Sequence, residues 1–184
     1  MQIAKDIAHG LDYIHDNCSH RSDFSLIHNR IKSSSIIITE LDLHAKICHF
    51  GTSNLPEDGS DQDTFSRYKG TFEGTRGYMS PEFKYSGVGT QESDVYSYGV
   101  ILLELLSGEE PLNYVFERES GVFRRVSLID NAREVFGGGG DDGGGEEGRL
   151  RRWIDRRLRD SSPVEVTKEM TRHVRNGAHG KIKF

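Results

Sequence analysis

Two short stretches of this chain place basic, hydroxyl, thiol and imidazole side chains close together in the sequence. Arg30, Lys32 and Ser35 lie in the first, and His49 follows Cys48 in the second. Arginine stays protonated and has no acceptor, so Arg30 cannot act as a general base. Magnesium requires oxygen ligands, whereas the imidazole of His49 suits zinc or copper, and Ser35 offers one neutral hydroxyl. By residue type, Arg30, Ser35 and His49 are therefore a poor set of magnesium ligands.

Composition excludes several classes of function. The chain has 184 residues, with 24 Lys+Arg against 29 Asp+Glu and a formal net charge of -5. This length favours one domain with a sizeable core. Acidity disfavours nucleic acid as a partner, and no apolar run approaches the ~20 residues that cross a bilayer. We therefore expect no membrane segment and no signal peptide after Met1.

The cysteines do not suggest a metal centre. Cys18 and Cys48 lie far apart, without a CxxC motif or a pair of histidines at metal-ligand spacing. Zinc binding and a disulfide framework are therefore not expected. Two reduced, structural thiols in a cytosolic setting are the interpretation that this spacing favours.

The spacing of apolar residues predicts the elements that position the two stretches. A helical period predicts an amphipathic helix over residues 1–16. Two β-branched runs, 35–39 and 45–48, flank a short polar connection and predict a pair of small strands. Ser93 is the expected N-cap of a buried helix that ends near Gly108. The chemistry-bearing stretches adjoin the pair of strands.

The last third of the chain differs in composition. Residues 137–148 hold 8 of the 21 glycines together with four acidic residues, which predicts a flexible acidic loop rather than a phosphate-binding loop. The arginine-rich segment that follows is predicted to be a surface helix packed on its own domain, in preference to a membrane-surface or calmodulin-binding helix. Residues 161–184 are expected to be a truncated or divergent tail.

Four motifs in register carry a family resemblance. They are Leu26–Ser35, Ala45–Gly51, Gly74–Glu82 and Ser93–Val100. Together they resemble the C-terminal lobe of a protein kinase over residues 1–160. The residue sequences of these motifs are similar to those of plant receptor-like kinases, with the LysM-receptor-like branch as a candidate. The resemblance implies a mainly α (α+β) fold with a small two-stranded β element. The N-terminal lobe is expected to be absent, because neither its glycine-rich loop nor its lysine is found.

The chain departs from the family at the positions that perform catalysis. In the kinase pattern H-R-D-x-x-x-x-N, the Asp accepts the substrate proton and the Asn holds magnesium, and here these residues are Arg30 and Ser35. The magnesium-binding Asp of D-F-G is His49, and the middle Arg of H-R-D is Asn29. ATP and magnesium are implied only by the resemblance. No cofactor and no catalytic residue are expected.

Other family positions are retained. Lys32 matches the lysine that approaches the γ-phosphate, and Thr75 matches the threonine that hydrogen-bonds to that lysine. Asp94 resembles a buried aspartate that accepts backbone N–H groups of the catalytic loop. His28 matches the histidine of H-R-D and Gly51 matches the glycine of D-F-G, and both are expected to have structural roles.

Phe50 and Glu82 complete the structural positions. Phe50 resembles the D-F-G phenylalanine and is expected to belong to the core. Glu82 resembles the A-P-E glutamate, but no Arg-Pro partner follows it, so we expect a buried carboxylate without a cation and a marginally stable chain. Between His49 and Glu82 the resemblance places an activation loop with four potential phosphate acceptors. These are Thr64, Ser66, Tyr68 and Thr71.

Three functions remain open on the sequence. The first is an inactive pseudokinase lobe from a receptor-like parent, which acts by contact with another kinase or receptor on the cytoplasmic side of the plasma membrane. The second is a protein Ser/Thr kinase domain that is active in a complete parent. The third is a non-functional truncated gene product. Within the first, Arg30 and His49 could together neutralise a triphosphate without metal.

Overall fold

The computed structural model describes residues 2–17, 26–53, 74–137 and 145–158. Contacts divide the chain into two compact units, residues 1–98 and 99–184, which are taken separately below. The helices are α1 (Gln2–Asp12), α2 (Pro81–Ser86), α3 (Gln91–Ser107), α4 (Leu128–Gly137) and α5 (Gly145–Trp153). The strands are β1 (Ile36–Ile38), β2 (Ala45–Ile47), β3 (Leu112–Glu117) and β4 (Val122–Ser127). The described residues are mainly helical, as predicted for a kinase-like lobe, but they contain two small sheets where one was expected.

The first unit begins with the predicted amphipathic helix. Helix α1 buries Ala4, Ile7 and Leu11 at helical spacing. It ends four residues before the predicted end, because Tyr13–Asn17 continues as a wider π-helical turn. The aromatic ring of the buried Tyr98 lies nearby, and its hydroxyl donates to the Ala4 carbonyl (2.9 Å).

The predicted pair of strands is confirmed. β1 and β2 are antiparallel, with Ile36 opposite Ile47. Helix α1 contacts β2. The Asp6 carboxylate accepts the Ala45 N–H at 2.9 Å and lies 3.0 Å from His44 Nδ1, and these hydrogen bonds, the backbone one foremost, lower the pKa of Asp6.

Helix α3 begins earlier than the sequence indicated. Thr90, not Ser93, is the N-cap: the Thr90 hydroxyl accepts the Ser93 N–H (3.2 Å), and the Ser93 hydroxyl accepts the Thr90 N–H (2.8 Å). This reciprocal pair is a capping box in which serine takes the third helical position. The predicted end is correct, since the Gly108 N–H donates to the Glu104 carbonyl and Gly108 has a φ of 72°.

The second unit contains two elements that the sequence did not predict, the hairpin β3–β4 and helix α4. Apolar side chains are exposed on both faces of the hairpin, so apolar and polar residues do not alternate along its two strands in the sequence. Helix α4 buries Leu128 and Ala132 against Leu103. Phe136 and Trp153 pack at the edge of this cluster, with ring centroids 5.7 Å apart.

Both ends of the predicted acidic loop are helical. Helix α4 ends at Gly137 and α5 begins at Gly145, so the loop predicted over 137–148 is too long, and residues 138–144 lie outside the described residues. Helix α5 and the turn after it bury Leu150 and Ile154, and α5 contacts α4, which confirms that the arginine-rich helix packs on its own unit. The predicted tail also lies outside the described residues. Within the described ranges, no helix is both long and apolar enough to span a bilayer.

Candidate functional site

A buried carboxylate on α3 holds the loop that carries Arg30 and Ser35. Asp94 is 1% exposed. Its Oδ2 accepts the His28 N–H at 2.7 Å and its Oδ1 accepts the Asn29 N–H at 2.9 Å. His15, which the sequence analysis overlooked, donates from Nε2 to Oδ2 at 3.2 Å. Three donors therefore satisfy the buried charge, and the loop backbone is anchored to a helix that begins more than 60 residues later in the sequence.

The ring of His28 connects this loop to the segment that carries His49. Its Nδ1 accepts the Arg30 N–H (3.2 Å), so the ring proton is on Nε2, which donates to the Cys48 carbonyl (3.0 Å). Burial lowers the pKa of His28 from its usual value of 6.5, although the Cys48 carbonyl and the Asp94 charge act in the opposite direction. A neutral imidazole thus ties the two stretches together.

The depressed pKa of His28 predicts a loss of stability in mild acid. The unfolded chain binds a proton at this residue near its usual pKa of 6.5, whereas the folded chain binds it only at lower pH. The stabilisation is therefore present above the unfolded pKa and is lost as the pH falls. We expect a lower free energy of unfolding at about pH 5.5 than at about pH 7.5 in urea titrations.

His9 offers a control for this prediction, because its side chain is exposed. The variant His9→Gln should keep the pH dependence of the wild-type chain. Nuclear magnetic resonance titration of the intact chain reports the His28 pKa directly. A value at or above the usual 6.5 would contradict the prediction.

Ser35 does not present its hydroxyl to the site. The residue is fully buried, and its Oγ donates to the Arg30 carbonyl at 2.9 Å. Its own carbonyl accepts the Cys48 N–H (2.8 Å) and the Cys48 thiol (3.2 Å). The serine therefore supports the loop backbone, and its hydroxyl proton is already engaged inside the fold.

His49 occupies a backbone conformation that few residue types adopt readily. It is exposed and has a φ of 67°, and its Nδ1 lies 3.5 Å from the Cys48 sulfur. Asn29 has a φ of 65°. Asparagine and histidine are among the non-glycine residues enriched in this left-handed region. Both replacements at family positions thus suit the backbone that they occupy.

Phe50 is a correction to the sequence analysis. It was expected in the core, but its side chain is 41% exposed. One edge of the ring contacts His28, with centroids 4.8 Å apart at 61°. The ring is therefore only partly covered, and Gly51 beside it is also exposed.

Glu82 is the second correction. It was expected to be a buried carboxylate without a cation, but it is exposed in the first turn of α2. A carboxylate is favourable near a helix N-terminus, where the backbone N–H groups point outward. The marginal stability inferred from this residue therefore has no basis. The four potential phosphate acceptors between His49 and Glu82 lie outside the described residues.

A small cavity lies beneath the loop. It has a volume of about 10 Å³ and is lined in part by Arg30, Thr75 and Asp94, whereas Lys32 is not part of its wall. Such a volume is at the lower limit for one water molecule and is far below that of a nucleotide site. Thr75 and Arg30 therefore line the same cavity, whereas Lys32 lies outside it.

Tyr78 is a further anchor that the sequence analysis missed. Its hydroxyl lies 2.9 Å from the Ser33 hydroxyl, and its carbonyl accepts the Ser97 hydroxyl at 2.9 Å. The residue is buried, at 7% exposure. The only signal in the sequence was its place in the Gly74–Glu82 motif, which does not indicate a partner. Tyr78 thus joins the loop to helix α3.

The loop, the paired strands β1 and β2 and helix α3 all lie within a region that matches a known family. The model of the protein kinase domain matches residues 1–132. The chain belongs to the protein kinase family. Among its relatives, proline-rich receptor-like protein kinase PERK2 of Arabidopsis thaliana is 34% identical over 174 residues, which cover 95% of this chain and 21% of that protein. PTI1-like tyrosine-protein kinase 1 of Arabidopsis thaliana is 41% identical over 118 residues, which cover 64% of this chain and 30% of that protein.

A solved structure supports the fold of this kinase-family chain. The pseudokinase domain of BIR2, described as an immune regulator of the RLK/Pelle family, matches 98% of this chain and 45% of its own chain, with a TM-score of 0.64 and 23% identity. The chain spans between a fifth and a third of the length of the curated relatives above. The resemblance to plant receptor-like kinases stated from the motifs is therefore confirmed.

The magnesium that family membership implies does not fit the residues present. Kinases hold it with an Asp and an Asn, and the matching positions are His49 and Ser35. The His49 ring offers nitrogen, and the Ser35 hydroxyl is engaged by the Arg30 carbonyl. Arg30 at the position of the general base has no acceptor. Within the described ranges, no group of three or more His, Cys, Asp or Glu could hold a metal ion.

Proposed function

We propose that this chain is a catalytically inactive kinase-like module that signals by contact with another kinase or receptor. One observation carries the proposal: Asp94 holds the backbone of the loop in place, while the positions for base and metal are Arg30, Ser35 and His49. An active site under selection for phosphoryl transfer depends on positioned charge and metal. A loop that keeps its hydrogen bonds without these groups is a scaffold for contact.

The relatives support the setting of this function. Several curated relatives are receptor-like kinases of Arabidopsis thaliana, so we place the chain on the cytoplasmic side of a receptor-like parent. The structural neighbour BIR2 is described as a pseudokinase and an immune regulator. By analogy, we assign to this chain a partner that is itself a kinase or receptor.

Thermal unfolding tests whether the folded chain binds the ATP and magnesium that phosphoryl transfer requires. We expect the melting temperature to be the same without ligand, with ATP, with magnesium and with both, because a ligand shifts unfolding only when it binds the folded state. A shift that requires both ATP and magnesium would contradict the account of Ser35 and His49. A shift with ATP that survives a chelator would instead favour neutralisation of the triphosphate by Arg30 and His49.

Phosphoryl transfer in a complete parent protein separates the proposal from an active kinase. We expect no magnesium-dependent autophosphorylation, and the combined reversion Arg30→Asp, Ser35→Asn and His49→Asp should raise it, because it restores base and metal ligands. Robust activity of the unreverted parent would favour the kinase alternative. A transcript that encodes no complete lobe would favour the truncated product.

A further inference from the structure

The hairpin β3–β4 exposes apolar side chains on both faces. On one face Tyr114, Phe116 and Phe123 are each at least 51% exposed, and the two Phe rings are in contact. On the other face Val115 and Val122 are 48% and 60% exposed. A two-stranded hairpin alone is marginally stable in water, and exposed apolar patches commonly mark interaction sites. These side chains are suited to burial in a larger sheet.

The two edges of the hairpin differ in what they can pair with. In the described part of the chain, β3 and β4 form a sheet of only two strands. If two copies of β4 paired antiparallel about a two-fold axis, the central registers would place Arg124 or Arg125 against its own copy. Like charges directly opposite each other are destabilising. Glu117 lies 2.7 Å from Arg124 and partly offsets its charge, so the edge of β4 opposes self-pairing most strongly where Arg125 faces its own copy.

The edge of β3 is self-complementary. Directly opposed residues of antiparallel strands share a face, so a two-fold axis can pass midway between Val115 of one copy and Val115 of the other. Each Tyr114 then faces Phe116 of the other copy, and each Asn113 faces Glu117 of the other copy. Apolar residues meet apolar ones, and an amide meets a carboxylate. This strand also carries neither the proline nor the lysine that commonly protects an edge.

We propose that two copies of this chain associate through the edge of β3 and form a continuous four-stranded antiparallel sheet. The register of β3 with β4 places a row of aromatic rings across the new sheet: Phe123, Phe116 and then Tyr114 of the second copy. Arg125 of that copy ends each row beside Tyr114, where its guanidinium can stack on the ring. This association is independent of the proposed signalling function.

The variant Val115→Glu tests this register. Within one chain residue 115 lies opposite Arg124, which pairs with Glu117 at 2.7 Å, so the new carboxylate adds a second acceptor for that guanidinium and the hairpin is retained. Between copies, the two carboxylates meet on the axis and two valines are lost. We expect the wild-type chain to show a concentration-dependent dimer in analytical ultracentrifugation, and the variant to associate about tenfold or more weakly.

Val122→Lys is the matched control. It replaces a valine of similar exposure on the same face of β4, opposite Glu117, and should leave the dimer intact. Val115→Lys alone should also weaken association, but an equimolar mixture with Val115→Glu should restore it, because lysine then meets glutamate on the axis. Circular dichroism of each variant checks that the chain is folded.

Several outcomes would overturn the proposal. They are a wild-type chain that stays monomeric up to its solubility limit, a Val115→Glu variant that associates as tightly as the wild type, and a mixture that does not associate. Slow amide exchange along β3 in a monomer would show that another segment of the same chain covers the edge, which also overturns it. The proposal is established if the wild-type chain dimerises, Val115→Glu associates more weakly and the mixture associates again. The amide groups of β3 must also exchange quickly in the monomer.

Discussion

Replacement of Asp94 by asparagine is expected to lower the free energy of unfolding by about 3 kcal/mol. The two carboxylate oxygens face the N–H groups of His28 and Asn29. An asparagine can place its oxygen at only one of these positions, so its NH₂ group meets an N–H donor at the other. His15 also loses a charged acceptor. Urea unfolding followed by circular dichroism measures the loss.

Asp130→Asn is the control for this prediction. Asp130 is exposed on α4 and pairs with Arg133 over one helical turn, so its replacement should change stability by less than about 1 kcal/mol. Amide exchange at His28 and Asn29 in Asp94→Asn should accelerate more than exchange in α4. If Asp94→Asn unfolds at the urea concentration of the wild type, the anchoring role of Asp94 is wrong.

Replacement of Gly89 by alanine is expected to lower the free energy of unfolding by about 2 kcal/mol. A Cβ at this position would overlap Asn29 Oδ1, which is buried there. Asn29 would have to move, and its Nδ2 would lose the bond to the Thr52 carbonyl (3.3 Å). The same movement strains the Asn29 N–H bond to Asp94.

A double-mutant cycle isolates this contact. Asn29→Gly removes the obstructing side chain and suits the φ of 65° at that position. In that background Gly89→Ala should have little effect, which corresponds to a coupling energy of about 1–3 kcal/mol. Gly51→Ala serves as the control, because its Cβ would meet nothing within 4 Å. Additive losses from Gly89→Ala and Asn29→Gly would contradict the predicted overlap.

Some of the site could be predicted from the sequence because its motifs are local. The sequence alone shows that Arg30, Ser35 and His49 stand at the catalytic positions. It also excludes two roles, because arginine lacks the acceptor of a general base and imidazole is a poor magnesium ligand. The small paired strands were also predictable, since β-branched runs beside a short polar connection have few alternatives.

The errors share a cause, which is that burial depends on partners elsewhere in the chain. Phe50 and Glu82 were assigned to the interior by their motif identities, yet both are exposed. Ser93 was chosen as the N-cap because it precedes the apolar run, but Thr90 forms the reciprocal pair with it. The hairpin β3–β4 was missed because neither of its faces is buried, so it shows no alternation of polar and apolar residues.

By itself the sequence determined that this is a kinase-family chain with altered catalytic positions, because those residues are recognised by type and local spacing. Only the tertiary structure decided where their atoms point. Ser35 turns its hydroxyl inward because the Arg30 carbonyl lies beside it, and Asp94 reaches His28 across 66 residues of sequence. Such contacts form because buried polar groups must find partners wherever folding brings them.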